Sequence, residues 1–320
     1  MRKVNRFFRH VFFFATIFIA FTACNKERFE LNENGDFAEQ FDDFSAEYEG
    51  DEGSLTLYQI NGDNITKTKD FKVKKKYRSF QEDVATHQAI WDYFTELIPA
   101  SARMEIVEFE IFHGGGDLLG YVAPVNDGDL SKWRMGLAID AVEGDLSNIN
   151  LNTDFTYTMI HELGHVLTLD HTQINVSISG GSCGAFHIDE GCSRSGSYIN
   201  ELYNIGWADI MPEFNSLKNE NDNYDFYLDY EDRFVTEYAA SNPAEDIAEV
   251  FTVFVTSNQA PRGNSIADQK VKAMYGHPEL VKLRDEIRQS STVRAMKAGS
   301  WKRPNCKHKH EHKHTVEAVY

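Results

Sequence analysis

The 320-residue sequence has few cysteines, a deficit of basic charge and no apolar run that spans a bilayer comfortably, and each shortage excludes a class of protein. Four cysteines are too few to frame a disulfide-based scaffold, so a hydrophobic core must carry the fold. Thirty-two basic residues against 50 acidic ones give a formal net charge of −18, which repels phosphate backbones and argues against nucleic acid as a partner. The hydrophobic content of 42% is sufficient for a core and excludes a wholly disordered chain.

The apolar run at residues 11–21 is typical of the hydrophobic region of a secretory signal peptide, because it is short and follows several basic residues. Small residues then lead to Cys24, as in the lipobox of a bacterial lipoprotein, although Phe21 stands where leucine is usual. We therefore expect residues 1–23 to be removed and Cys24 to be lipidated, so that the protein is anchored in the bacterial cell envelope as an outer-membrane lipoprotein, periplasmic or surface-exposed. An ordinary cleaved signal with an incidental cysteine is the alternative.

Composition divides the rest of the chain into three regions. Residues 24–77 begin as a tether dense in Asp and Glu and end in a short hairpin around Asn61-Gly62. Residues 78–300 carry the apolar patterns of one folded domain. Residues 301–320 are rich in His and Lys and could chelate metal, but a solvated tail is favoured because the histidines have cationic neighbours and no structural context.

Apolar periodicity in the central region predicts helices and strands in an α+β order. The predicted helices span residues 82–98, 153–169, 198–207 and 243–257. The predicted strands span residues 104–111 and 133–140. The second strand could pair with an extended peptide by strand addition, or it could be an ordinary buried strand.

The segment His161-Glu162-Leu163-Gly164-His165 carries the strongest chemical signal in the sequence. Residues four apart on a helix share one face, so the imidazoles of His161 and His165 can bind one zinc ion. Glu162 can then accept a proton from a zinc-bound water. Gly164 in the middle of a helix costs roughly 1 kcal/mol relative to alanine, which indicates that another segment packs closely there. Two buried core histidines beside a chance glutamate are the alternative.

A catalytic zinc needs a third protein ligand, and two residues compete for that role. His171 stands at the spacing found in metzincins, but Thr168 occupies the position of the glycine at which those enzymes turn the chain. Glu245 lies near the start of a helix that Asn242 would cap, where it could either ligate zinc or contribute to the cap. Ligation is favoured because the apolar body of that helix would bury Glu245 and Glu249, and buried carboxylates need a cation or hydrogen bonds.

Cys183 and Cys192 lie close together in a segment rich in Gly and Ser. In an exported protein, an oxidising compartment permits a disulfide that would close this loop. Binding of zinc by the two thiols is the alternative. Cys306 is left over in the C-terminal tail.

The histidine motif and residues 238–249 together resemble the catalytic domain of anthrax lethal factor, in which HExxH is paired with a glutamate on a later helix. The lipobox, the loop from Cys183 to Cys192 and residues 242–249 are similar to zinc metallopeptidase-type lipoproteins of bacteria. Some members of that group are encoded beside outer-membrane substrate importers. The resemblance is good over residues 150–257 and thin elsewhere.

The resemblance implies a zincin-like metallopeptidase fold, in which a small mixed sheet packs on the active-site helix and the C-terminal part is helical. The implied zinc ligands are His161, His165 and Glu245. Glu162 would be the general base, and Tyr238 would donate a hydrogen bond to the developing oxyanion. Glu249 would orient a metal-bound histidine. The resemblance does not require His171, which keeps the metzincin alternative open.

Three classes of function follow from these features. The favoured one is an exported zinc peptidase that hydrolyses peptide or protein substrates, with importer components as implied partners. The second is a non-catalytic lipoprotein that binds substrate for an importer, but a binding protein would not need the base Glu162. The third is metal storage by the His-rich tail, which leaves the helix carrying Glu245 unexplained.

Overall fold

The computed structural model describes residues 21–22, 52–126, 128–146, 152–217 and 220–290. Cys24, the acidic tether and the His-rich tail lie outside the described residues, so the expected lipidation and tail properties are not addressed by the fold. Among the described residues, no helix combines the length and the apolar character that a membrane crossing requires.

A mixed β-sheet forms the centre of the structure. Its strands lie in the order β1 (Phe21–Thr22), β5 (Gly120–Asn126), β6 (Asp129–Ala138), β4 (Ile106–Gly114), β2 (Glu52–Asn61) and β3 (Asn64–Asp70). β4 and β6 run parallel, and the other neighbouring strands run antiparallel. The predicted α+β class and the mixed character of the sheet are confirmed.

The predicted hairpin at Asn61-Gly62 is part of this sheet. β2 and β3 pair on either side of the turn, and Gly62 adopts a φ of +64°, which glycine accepts without steric cost. β2 also pairs along its other edge with β4. The folded domain therefore includes the hairpin, and its predicted start at residue 78 lies too late in the chain.

β6 corresponds to the strand predicted at residues 133–140, and its position decides between the two roles considered for that strand. It lies between β4 and β5 and pairs with both of them. Because both edges are occupied, strand addition at β6 is wrong. Trp133 and Leu137 are fully buried, as expected for an interior strand.

Helices surround the sheet and account for most of the C-terminal half of the described chain. They are α1 (Arg78–Glu82), α2 (Val84–Leu97), α3 (Thr153–Leu169), α4 (Tyr198–Gly206), α5 (Met211–Phe214), α6 (Glu220–Asp229), α7 (Pro243–Thr256), α8 (Ile266–Met274) and α9 (Pro278–Ile287). The loop between α3 and α4 holds a second small sheet of strands β7 (Ile174–Asn175), β8 (His187–Ile188) and β9 (Gly191–Ser193). The predicted helices at residues 153–169, 198–207 and 243–257 correspond to α3, α4 and α7.

α3 is buried on nearly every side, because it packs against β5 and against α7. Gly164 lies at the contact with α7, where an added Cβ atom would come within 3.2 Å of both the Ala248 Cα and the Phe251 Cδ1. This confirms the close packing that the mid-helix glycine indicated. The two helices can approach this closely because residue 164 has no side chain.

Asn152 precedes α3, but its side chain forms no capping hydrogen bond with the helix. Its Oδ1 accepts a hydrogen bond from the Glu143 N–H at 3.0 Å, and its Nδ2 donates to the Glu143 and Asp145 carbonyls at 3.2 Å each. The amide therefore ties the preceding segment, at the end of the sheet, to the start of the helix.

Replacing Gly164 by valine should destabilise the protein by about 1–3 kcal/mol, because the new side chain overlaps the backbone of α7. The matched control is Ala89→Val on the exposed face of α2, which should cost no more than about 0.7 kcal/mol through helix propensity. Urea unfolding followed by circular dichroism measures both free energies. Equal losses in the two variants would contradict the tight contact between α3 and α7.

Candidate metal centre

Three side chains meet in a buried group where α3 contacts α7. His161 and His165 lie one turn apart on α3, with their Nε2 atoms 3.0 Å from each other. The Glu245 Oε2, from the first turn of α7, lies 3.0 Å from the His161 Nε2 and 3.4 Å from the His165 Nε2. One potential ligand atom from each residue lies within 4.8 Å of the other two, so the group could hold one metal ion.

The start of α7 directs Glu245 towards the histidines. Pro243 is the first helical residue, and the Asn242 Oδ1 accepts hydrogen bonds from the Ala244 and Glu245 N–H groups at 2.9 Å each. The predicted cap at Asn242 is confirmed. Asn242 provides the side-chain cap of α7. The Glu245 carboxylate does not take part in the cap and instead lies next to His161 and His165.

Glu249 lies one turn after Glu245 and contacts the other ring nitrogen of His161. Its Oε1 is 2.8 Å from the His161 Nδ1, and its Oε2 accepts a hydrogen bond from the Tyr157 hydroxyl at 2.8 Å. A carboxylate can only accept, so the His161 Nδ1 is the donor in this pair. The Nε2 of a neutral His161 therefore presents a lone pair to Glu245 and His165, which is the tautomer that a metal ligand requires.

A positive charge between His161, His165 and Glu245 would be electrostatically favourable. Burial lowers the pKa of His161, but hydrogen bonds with Glu245 and Glu249 outweigh it and raise the pKa to about 10. Burial raises the pKa of Glu245, but the charge of His165 and hydrogen bonds with both histidines bring it down to about 2. Burial lowers the pKa of His165. Converging acceptor atoms repel unless a proton or a metal ion lies between them.

This donor set fits zinc. Two imidazole nitrogens and one carboxylate oxygen form a ligand set of catalytic zinc sites, which leave a fourth position for water or substrate. The group is buried, and its two histidines are fully inaccessible. His161 donates a hydrogen bond to Glu249, which also accepts one from Tyr157, and zinc-binding histidines usually have such support from a carboxylate.

His171 does not join this group. α3 continues through Thr168 to Leu169, so the chain does not turn where the metzincin glycine would stand. The His171 Nδ1 lies 3.4 Å from the Glu105 Oε1, and its side chain is 52% exposed. With Asp170, these two residues form a separate cluster whose ligand atoms lie within 4.8 Å of one another. The alternative with His171 as the third ligand is therefore wrong.

The two side chains predicted to be catalytic lie on the same elements as the potential ligands. Glu162 is fully buried on α3, next to His161. Tyr238 begins the short 3-10 helix Tyr238–Ser241 that leads into α7, and its ring centroid lies 5.9 Å from that of His161. Tyr238 is only partly buried.

The loop after α3 is closed by a disulfide between Cys183 and Cys192, whose Cα atoms are 5.4 Å apart. The disulfide predicted from the sequence is confirmed. Because both sulfur atoms are bonded to each other, zinc binding by this pair of thiols is wrong.

Sequence reasoning missed the residues that hold the first turn of α7 in place. Asp246 is fully buried, and its Oδ2 accepts hydrogen bonds from the Trp207 Nε1 at 2.7 Å and from the Lys270 ammonium. The Lys270 side chain is also inaccessible. These partners come from distant parts of the chain, so no local pattern could have identified them.

No family model, no curated protein and no solved structure matches this chain. The resemblance to zinc metallopeptidases therefore stays a prediction from the motifs. What the protein does is inferred here from the geometry of the buried group and from the chemistry of its side chains.

Replacing Glu245 by alanine should lower zinc affinity by at least about 100-fold, because the change removes one of three ligands. His171→Ala, the matched control, should leave zinc affinity within about twofold, since His171 lies outside the group. Metal content after dialysis, measured by mass spectrometry, compares the variants once circular dichroism has shown that both are folded. Zinc lost from His171→Ala and kept by Glu245→Ala would reverse the assignment.

Proposed function

We propose that the protein is an exported, lipid-anchored zinc peptidase of the zincin type. The observation that carries the proposal is the convergence of His161, His165 and Glu245, with Glu162 beside the first histidine. A metal site built only for structure would close its fourth position with a protein ligand. Within the described part of the chain the potential ligand group contains three residues, so a bound zinc ion would keep one position for a water or carbonyl.

Different residues of the chain can perform the different steps of peptide hydrolysis. When bound, zinc supplies Lewis acidity that polarises a peptide carbonyl and makes water more acidic. Glu162 accepts the proton of the attacking water and passes it to the departing amine. Tyr238 donates a hydrogen bond to the carbonyl oxygen as that oxygen gains negative charge. Glu249 holds the His161 ring in its ligating tautomer.

The outer edge of β5 is a suitable place for an extended peptide. β5 packs on α3 so closely that a Cβ atom at Gly120 would lie 2.8 Å from the Thr158 Cγ2, less than one turn before His161. The two residues of β1 pair with this edge in antiparallel register, with Phe21 opposite Val122. They belong to the expected signal peptide, so its removal would leave the edge to a substrate.

Export and membrane anchoring are parts of the same proposal. They are supported by the signal-like run, by the lipobox before Cys24 and by the disulfide between Cys183 and Cys192, which requires an oxidising compartment. A role beside outer-membrane importer components is supported only by the resemblance of the motifs. The presence of a buried Glu162 next to His161 favours a peptidase over a non-catalytic binding protein, because only the peptidase needs a general base.

Glu162→Gln should lower turnover by about 10²–10⁴-fold, because an amide cannot accept the proton of the attacking water. Zinc content and fold should be retained, since Glu162 is not among the three potential ligands. The control Glu82→Gln, at an exposed position, should leave turnover unchanged. Cleavage of a peptide library, followed by mass spectrometry, measures the effect. A zinc-loaded protein that binds peptides without cleaving any would favour the non-catalytic binding protein.

Tyr238→Phe should lower kcat by about 10²–10³-fold with little change in KM, because the hydrogen bond strengthens only as the oxyanion forms. Phenylalanine keeps the ring that contacts His161, so zinc content should not change. Tyr230→Phe is the matched control, because that hydroxyl bonds to Glu213 on the surface. Steady-state kinetics on one cleaved peptide separates kcat from KM. An equal effect in both variants would remove Tyr238 from the reaction.

A further inference from the structure

Glu190 lies at the tip of a tight hairpin within the loop that the disulfide closes. Ile188 pairs with Gly191, so Asp189 and Glu190 form the turn between β8 and β9. Gly191 has a φ of +145°, and a Cβ atom there would lie 2.7 Å from the Asn175 carbonyl oxygen. The hairpin is therefore pressed against β7, and this contact fixes the position of Glu190.

Glu190 is half-buried, and its carboxyl group has no compensating charge among the described residues. Its Oε1 is inaccessible to solvent, and no donor among the described residues forms a hydrogen bond with it. The carboxylate accepts a hydrogen bond from its own backbone N–H. Within the described ranges, no lysine, arginine or histidine forms an ion pair with Glu190. Withdrawal from water favours the protonated form of a carboxyl group until a cation lies beside it, and such a group is typical of a binding site.

Glu190 lies close enough to the candidate metal centre to interact electrostatically with Glu245, but it does not belong to the group of potential ligands. Burial raises its pKa to about 8, and repulsion by Asp189 and by Glu245 adds to the effect. Glu245 is a member of the potential ligand group, whereas Glu190 is not. The two carboxyl groups therefore repel each other, and a cation that lies near both of them would be attracted by each.

We infer that Glu190 binds a cationic group of the substrate, so that the enzyme acts on peptides with an ammonium or guanidinium group close to the scissile bond. This inference rests on the proposed peptidase function and adds its substrate class. A cation is the partner that a buried carboxylate lacks, and its charge would be attracted by Glu190 and Glu245 together. The formal net charge of −18 would also draw cationic peptides towards the protein.

Two sources can supply this charge, namely the free N-terminus of a peptide or the side chain of lysine or arginine. The first would make the protein an aminopeptidase, and the second would make it an endopeptidase with basic specificity. Three forms of one peptide distinguish them: one with a free N-terminus, one acetylated with a lysine beside the scissile bond, and one acetylated with norleucine in place of that lysine.

The test compares zinc-loaded wild-type protein with Glu190→Gln, which keeps the volume of the side chain and removes its charge. We expect the wild type to cleave one cationic form preferentially. The variant should lose about 30-fold or more in kcat/KM for that form and stay within about twofold for the neutral form. Asp189→Asn removes a charge from the exposed position of the same turn and should change neither value by more than about twofold.

Equal losses for the neutral and cationic forms would overturn the inference, because Glu190 would then act in the chemical step or in folding. No loss for either form, or loss of zinc from Glu190→Gln, would also overturn it. If the zinc-loaded wild type cleaves none of the three peptides, the proposed peptidase function fails. Calorimetric binding of the same peptides to wild type and Glu190→Gln then decides the role of Glu190, since tighter binding of a cationic form must depend on this carboxylate.

Discussion

The contact between α3 and α7 at Gly164 is the constraint on which the candidate metal centre depends. Ligand atoms from two helices can meet only if the helix backbones come close, and the absent side chain at position 164 permits this. The Glu245 Oε2 thereby comes within 3.0 Å of the His161 Nε2. A bulkier residue would separate the helices and, with them, the two halves of the ligand set.

α7 carries several buried acidic side chains, which are held by α3 and by two residues outside α3. Glu245 faces the histidines of α3, Glu249 bonds to His161 and Tyr157, and Asp246 bonds to Trp207 and Lys270. Buried carboxylates are tolerated only with such partners, and losing any one partner is costly. The contacts with α3 and those with Trp207 and Lys270 together fix the rotation of α7 about its axis, which keeps Glu245 directed at the histidines.

Local patterns predicted those parts of the structure that depend on neighbours in the sequence. The span of α3, the cap at Asn242 and the pairing of His161 with His165 all follow from helical spacing, and the structure agrees with them. The interior position of β6 was not decided in advance, because strand order depends on distant pairing. The same holds for Glu190, because part of the rise in its pKa comes from Glu245, which lies far from it in the sequence.

The balance of charge around the candidate centre connects the proposed chemistry with the proposed substrate. When all are ionised, Glu162, Glu245, Glu249 and Glu190 bring four negative charges, and a bound zinc ion would offset two of them. The proton taken up by Glu162 during hydrolysis offsets a third, but only transiently. Among the described residues, Glu190 has no cationic partner of its own. A substrate that carries a positive charge would neutralise the remaining carboxylate when it binds, so its affinity and its orientation would come from the same interaction.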